Sequence, residues 1–233
     1  MAETLPIVLI PGLLCSARMY APQLPVLWRH GPVMVADHTR SDSMTGIASD
    51  ILAAAPPRFA LAGLSMGGYI AFEILRQAPE RIARLALLDT QARPDLPEQS
   101  ERRRSQIVLA QEGRLLEVAA LQFPLMVSPR RHGDAALRAL NDQMAGDVGP
   151  EAFARQQTAI IGRPDSRGDL ASIACPTLVL VGAEDMLTPP DRAQEMAAAI
   201  PNSRLAVIPD SGHLSTLEQP EAVTDALEAW LKA

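Results

Sequence analysis

A chain of 233 residues, 48% hydrophobic and 21% charged, has room for one sizeable α/β core and the composition of an ordinary globular protein rather than a disordered or fibrous one. Its formal net charge of −6 excludes the basic footprint that nucleic acid demands. Two cysteines, Cys15 and Cys175, offer neither a disulfide framework nor metal-ligand spacing, and no apolar run is long enough to cross a bilayer.

The first apolar run, Leu5 to Ile10, reads as a buried strand and ends in Pro11-Gly12-Leu13-Leu14. No basic residue precedes it, Glu3 is acidic and Pro11-Gly12 breaks it, so it does not read as a leader peptide and the protein is expected to be cytoplasmic. A glycine at that point lets backbone N–H groups face a ligand, and Cys15 lies close by. After a helix and a loop carrying His30, the run from Val33 to Asp37 is the second strand, with His38 just past its end. The third strand, Arg58 to Leu64, runs into Gly63-Leu-Ser-Met-Gly67, and a helical pattern follows from Gly68 to Ala78, stopped by Pro79. A serine forced into so sharp a strand-to-helix turn must present its hydroxyl outward, and small residues two positions either side are needed where the backbones crowd. Ser65 is therefore a candidate nucleophile. A fourth strand, Leu85 to Asp89, closes this half of the chain.

From Arg93 to about Gly168 no strand interrupts a series of helical patterns at Glu98 to Glu112, Leu115 to Gln122, Asp134 to Ala145 and Pro150 to Ile161. Breaks are predicted at Pro124, Pro129, Gly133 and Gly149. The expected organisation is a core formed by residues 1–92 and 169–233, with residues 93–168 as an all-helical cap, or lid. Apolar residues expected on its inner side, with Leu14, supply a candidate pocket of Leu14, Phe123, Met126, Phe153 and Ile160, although the same spacings also describe plain core packing. Arg102-Arg-Arg104 shares a helix with Glu98 and Glu101 and is expected to be a solvated, salt-bridged face, the alternative being a role in steering an acidic substrate. His132, beside Arg130 and Arg131, reads as solvated on the cap.

Thr177 to Val181 is the fifth strand, followed by Gly182-Ala-Glu-Asp185 and Thr188-Pro189-Pro190; Cys175, at its entrance, reads as a small core hydrophobe. Leu205 to Ile208 is the sixth, followed by Asp210-Ser211-Gly212-His213. The last helix buries Val223, Ala226, Leu227, Trp230 and Leu231 at the spacing of one face. A serine hydroxyl is a weak nucleophile and needs a base in reach and a third group orienting that base. His213 and Asp185 fill these roles, with Asp89 as a rival acid. Ser65, Asp185 and His213 all fall just past strand ends, where open parallel sheets place their ligand crevice. The developing oxyanion needs donors, assigned to the backbone N–H groups of Leu13 and Met66.

The strand ending in Pro11-Gly12-Leu13, the turn Gly63-Leu-Ser-Met-Gly67, and the segments Gly182-Ala-Glu-Asp185 and Ser211-Gly-His213 together make the chain resemble an α/β-hydrolase, from about Leu5 to Leu88 and from about Cys175 onward. Within that superfamily it is most similar to small bacterial carboxylesterases, including those that cleave methyl esters of carrier-protein-bound acyl chains. Many relatives carry His-Gly where this chain has Pro11-Gly12. The resemblance implies a mostly parallel sheet of about six strands flanked by helices, without the antiparallel hairpin that opens many relatives. It implies a cofactor-free and metal-free serine esterase with a Ser-His-Asp triad and a small-molecule ester or acyl substrate, no nucleic acid and no membrane. Lactone opening, carbon–carbon bond hydrolysis or a lyase step could use the same triad, and a ligand receptor on a hydrolase scaffold is the competitor from another class. Oligomeric state is not legible.

Overall fold

Residues 5–233 are described by the computed structural model; Glu3 lies outside them. In chain order the elements are β1 (Ile7–Ile10), α1 (Leu24–Leu27), β2 (Val33–Val35), α2 (Met44–Ala54), β3 (Phe59–Leu64), α3 (Met66–Gln77) and β4 (Ile82–Leu88). Three helices follow without a strand between them, α4 (Pro97–Leu109), α5 (Leu115–Met126) and α6 (Ala135–Ile161). The chain then returns to the sheet with β5 (Thr177–Gly182), α7 (Pro190–Ala199), β6 (Ser203–Ile208), α8 (Ser215–Glu218) and α9 (Pro220–Lys232). All six expected strands form one sheet in the order β2-β1-β3-β4-β5-β6, and every pairing is parallel.

The strands read as continuous apolar runs because both faces of the sheet are covered. Val8, Ile10, Leu61, Leu87 and Val179 point to one side, where Ile47, Ile51, Ile70 and Ile74 of α2 and α3 pack. The alternate residues Ile7, Leu9, Ala62, Leu88 and Leu180 point to the other, against Tyr20, Leu27, Val223, Leu227 and Trp230. Period-two alternation thus places two cores from one set of strands. The expected inner stripe of α9 is found, with Val223, Leu227 and Trp230 buried and Ala226 and Leu231 partly so.

Several boundaries differ from expectation; β2 stops at Val35 and β6 begins at Ser203. Strand β4 begins at Ile82, three residues early, because the turn Pro79–Arg81 hands the chain straight into pairing with β3. Pro124 does not break α5, which continues to Met126. The proline sits in the last turn, where the loss of one N–H leaves most of the helix intact. Gly149, at φ 76° and ψ 166°, does interrupt α6 as its sequence predicts. Among the described residues no helix is long and apolar enough to cross a membrane.

The sheet order reverses between β1 and β3, so the loops after these two strands lie side by side at the carboxyl edge. The loops after β4, β5 and β6 continue the same rim. Helices α4 to α6 sit over this edge, and a cavity of about 390 Å³ lies between them and the rim.

Candidate active site

Ser65 connects β3 to α3 at φ 54° and ψ −114°, a conformation that L-residues adopt only when their surroundings force it. Gly63 and Gly67 make it possible: a methyl on Gly63 would overlap the Gly67 carbonyl, and one on Gly67 would overlap the carbonyl of Ile10. The backbone is held by the Ser65 N–H donating to Leu88 O at 2.9 Å and the Thr90 hydroxyl donating to Ser65 O at 2.7 Å. The side chain is left to face the cavity, and among the described residues its hydroxyl forms no hydrogen bond.

His213 faces the same cavity from the loop after β6. Its Nδ1 stands 2.8 Å from Asp185 Oδ2. A carboxylate can only accept, so Nδ1 carries the proton and Nε2 presents its lone pair. Asp185 is almost fully buried, but its carboxylate is saturated: Oδ1 accepts the N–H groups of Leu187 at 2.8 Å and Thr188 at 3.0 Å, while Oδ2 also accepts the Thr188 hydroxyl at 2.8 Å. Burial favours the neutral acid, yet the neighbouring imidazole and the Thr188 bonds outweigh it and hold the Asp185 pKa below its ordinary value. For His213, burial disfavours the charged form, but the charge and hydrogen bond of Asp185 win, and its pKa lies above the ordinary value.

Asp89, the rival acid, is not bonded to His213. Fully buried at the end of β4 with φ 43°, it accepts the Gly182 N–H at 2.8 Å and a very short bond from the Ser215 hydroxyl. Burial, reinforced by the charge of Asp185, pushes its pKa up to about 8. Its role in the geometry is to tie the ends of β4 and β5 to the segment that follows His213. Glu218 anchors the other side of that loop by accepting the N–H groups of Gly212 at 2.8 Å and Ser128 at 2.7 Å.

The fit between the Asp185 and His213 loops leaves no room for a methyl group. A Cβ on Gly182 would overlap the Gly212 carbonyl oxygen and stand 2.5 Å from that of Ser211, both backbone atoms that cannot turn aside. Gly182→Ala is expected to destabilise the fold by about 1–3 kcal/mol and to displace His213. Urea denaturation and turnover measured together check this, and an unchanged midpoint with full activity would refute it.

The N–H groups of Leu13 and Met66 form no hydrogen bond among the described residues, and Met66 opens α3, whose positive dipole end lies at Ser65. The loop bearing Leu13 is held from outside. His38 is buried, which lowers its pKa despite the Gly12 carbonyl and Asp37, so it is neutral; its Nε2 donates to Gly12 O at 2.9 Å. Gln156 of α6 accepts the N–H of Leu14 at 3.1 Å, where the backbone has φ 59°. Neither pin was readable from sequence, because each joins segments more than twenty residues apart.

Of the expected pocket residues, Met126 and Ile160 line the cavity and Leu14, Phe123 and Phe153 do not. Leu14 and Phe153 pack in the small core under the cap, and Phe123 in the core beneath the sheet rim. Periodicity marks a buried face without saying whether a hole lies beside it. Cys15 does line the cavity, its thiol pushed up to about 12 by burial and so unreactive. The arginine cluster divides. Arg104 pairs with Glu101 on the surface as expected, whereas Arg102 and Arg103 line the cavity. The spacing of Gln99, Arg102, Arg103, Gln106 and Leu109 as one stripe of α4 was the sequence signal for this.

Comparison with known proteins agrees with this architecture. The family model described as alpha/beta hydrolase fold matches residues 51–220. A putative non-heme bromoperoxidase of Mycobacterium tuberculosis is 33% identical over 208 residues, covering 83% of this chain and 72% of its own length. A pimeloyl-[acyl-carrier protein] methyl ester esterase of Nitrosomonas europaea is 28% identical, over 81% of this chain and 76% of its own. Among solved structures, a thermophilic esterase from Thermogutta terrifontis superimposes with a TM-score of 0.90 at 34% identity, covering 98% of this chain and 89% of that one.

Proposed function

We propose that this chain, which belongs to the α/β-hydrolase fold family, is a serine hydrolase that cleaves a carboxylic ester through an acyl-enzyme intermediate. The observation that carries the reading is the 2.8 Å bond from His213 to Asp185, with the free face of that imidazole and the strained Ser65 turn opening on one cavity. Esterases among the relatives and structural neighbours favour ester over other acyl bonds.

In this reading Ser65 Oγ attacks the ester carbonyl carbon while His213 Nε2 takes its proton. The carbonyl oxygen becomes an oxyanion held by the N–H groups of Leu13 and Met66, with the α3 dipole adding to the field; one such donor is worth roughly 100-fold to 1,000-fold in turnover. Asp185 fixes the imidazole tautomer and stabilises the imidazolium. Collapse breaks the bond to the alkoxy oxygen, which leaves as the alcohol with the proton from His213. Water then attacks the acyl-Ser65 carbonyl, giving up a proton to His213, and the acid departs with Ser65 restored. Residues 93–168 act as the lid that closes this reaction from bulk solvent.

A fluorophosphonate probe tests the assignment directly. One adduct per chain is expected, mapping to the peptide that carries Ser65, together with multiple turnover of small aryl esters. An adduct elsewhere, or one round of product and no more, would exclude this function.

A further inference from the structure

Along the wall that α4 turns toward the cavity, Gln99, Arg102 and Gln106 present donors, and the hydrogen bonds around the two amides fix which way they point. Arg103 can only donate, so where its Nη1 meets Gln157 at 2.8 Å the Gln157 atom is oxygen. The amide nitrogen of Gln157 therefore donates to Gln106 Oε1 at 2.8 Å, and that oxygen also accepts from Gln122 at 3.1 Å. With its carbonyl consumed twice, Gln106 has only its N–H groups left, and these form no hydrogen bond among the described residues. Gln99 is fixed the same way, since its Oε1 accepts the Leu96 N–H at 2.8 Å. Between these two amides lies Arg102, exposed and with no ion-pair partner among the described residues, unlike Arg103, which is bound to Asp95 at 2.6 Å. Asp95 is in turn neutralised by buried Arg163 at 2.7 Å. Among the described residues no carboxylate lines the cavity.

A neutral amide, alcohol or sugar is recognised by a mixture of donors and acceptors. Here the carbonyls of Gln99 and Gln106 are engaged within the protein and no carboxylate stands beside them, which leaves a cation and two amide donors that complement a group that only accepts. We infer that the site takes an ester carrying a carboxylate at its far end, held by Arg102 and the N–H groups of Gln99 and Gln106. The substrate class is thus a half-ester of a dicarboxylic acid or an ester of a hydroxy acid. It rests on the ester-cleaving role of Ser65 proposed above. The cavity is also lined by Leu13, Leu109, Met126 and Ile160, which suit the apolar stretch between the two ends. The volume, at the low end of ligand pockets, suits a small substrate.

The test compares half-methyl esters of dicarboxylic acids, succinate through suberate, and short alkyl esters of carboxylate-bearing hydroxy acids, each against neutral esters of equal length. At the best-fitting length kcat/KM should favour the anionic ester by roughly tenfold to a hundredfold, the range for hydrogen bonds to a charged group, and the preference should shrink as salt is added. Arg102→Gln should bring the ratio close to one and Gln106→Glu should reverse it, whereas Arg104→Gln, paired with Glu101 outside the cavity, should keep it. A wild-type ratio of one or less at every length and on both arms, or a preference that Arg102→Gln leaves intact, would overturn the carboxylate subsite. Calorimetric titration of Ser65→Ala with the free dicarboxylates separates the two proposals. Binding lost on adding Arg102→Gln, in a protein that hydrolyses no ester, would keep the subsite and sink the esterase. Equal hydrolysis of anionic and neutral esters with no dicarboxylate bound would do the reverse.

Discussion

Ser65→Ala is expected to lower ester turnover by about 10⁴-fold to 10⁶-fold, the loss typical of removing the nucleophile from a Ser-His-Asp constellation, while leaving the fold intact. The second half of that expectation follows from the local geometry. The turn is held by backbone bonds to Leu88 and Thr90 and by the absence of side chains at Gly63 and Gly67, none of which alanine disturbs. The hydroxyl itself makes no bond in the structure, so its removal orphans nothing. Stability by urea denaturation should therefore stay within about 1 kcal/mol of the parent, and labelling by a fluorophosphonate should vanish. A Ser65→Ala protein that hydrolysed an aryl ester at the parental rate would move the chemistry to another residue.

Asp185→Asn should cost about 10⁴-fold in kcat, although it changes one atom. In the native site Oδ1 accepts two backbone N–H groups, from Leu187 and Thr188. The asparagine must keep its oxygen there, because its amide nitrogen could not satisfy either donor. The nitrogen then occupies the Oδ2 position against His213 Nδ1, where it donates. Nδ1 becomes an acceptor, the ring proton moves to Nε2, and the nitrogen proposed to deprotonate Ser65 can no longer take a proton. The pH profile separates this account from simple loss of structure. In the parent the base must be neutral, so kcat/KM falls as pH drops through the His213 pKa, which the Asp185 charge and hydrogen bond hold above about 6.5 against the opposing effect of burial. Without that charge burial dominates, and the acid limb of the residual activity should shift to lower pH. An unchanged limb would mean that the titrating group is not His213 paired with Asp185.

Much of the rim was legible because each feature there is a local pattern. Six apolar runs, each followed by glycine or by a polar loop, give the strands and their ends, and a glycine-flanked serine between a strand and a helix can adopt few backbone shapes. Asp185 could be preferred over Asp89 from its loop, and the structure brings Asp185 Oδ2, not Asp89, to the His213 ring. What misled was burial without context. Phe123 and Phe153 have the spacing of an inward face and do face inward, but into packed core. Arg102 and Arg103 have the acidic neighbours of a solvated face and yet line the cavity.

The order and type of the elements, the positions of Ser65, Asp185 and His213 at strand ends, and the need for glycine around the serine turn were determined by sequence alone, since they depend on hydrophobic period and on backbone sterics within a few residues. Which side of each cap helix overlies the strand ends was decided only by tertiary packing. So were the pinning of Gly12 and Leu14 by His38 and Gln156, the raised pKa of Asp89 and the orientation of the amides along α4. These depend on where helices separated by many residues come to rest and on how much water their packing removes, and neither quantity is written in any local stretch of the chain.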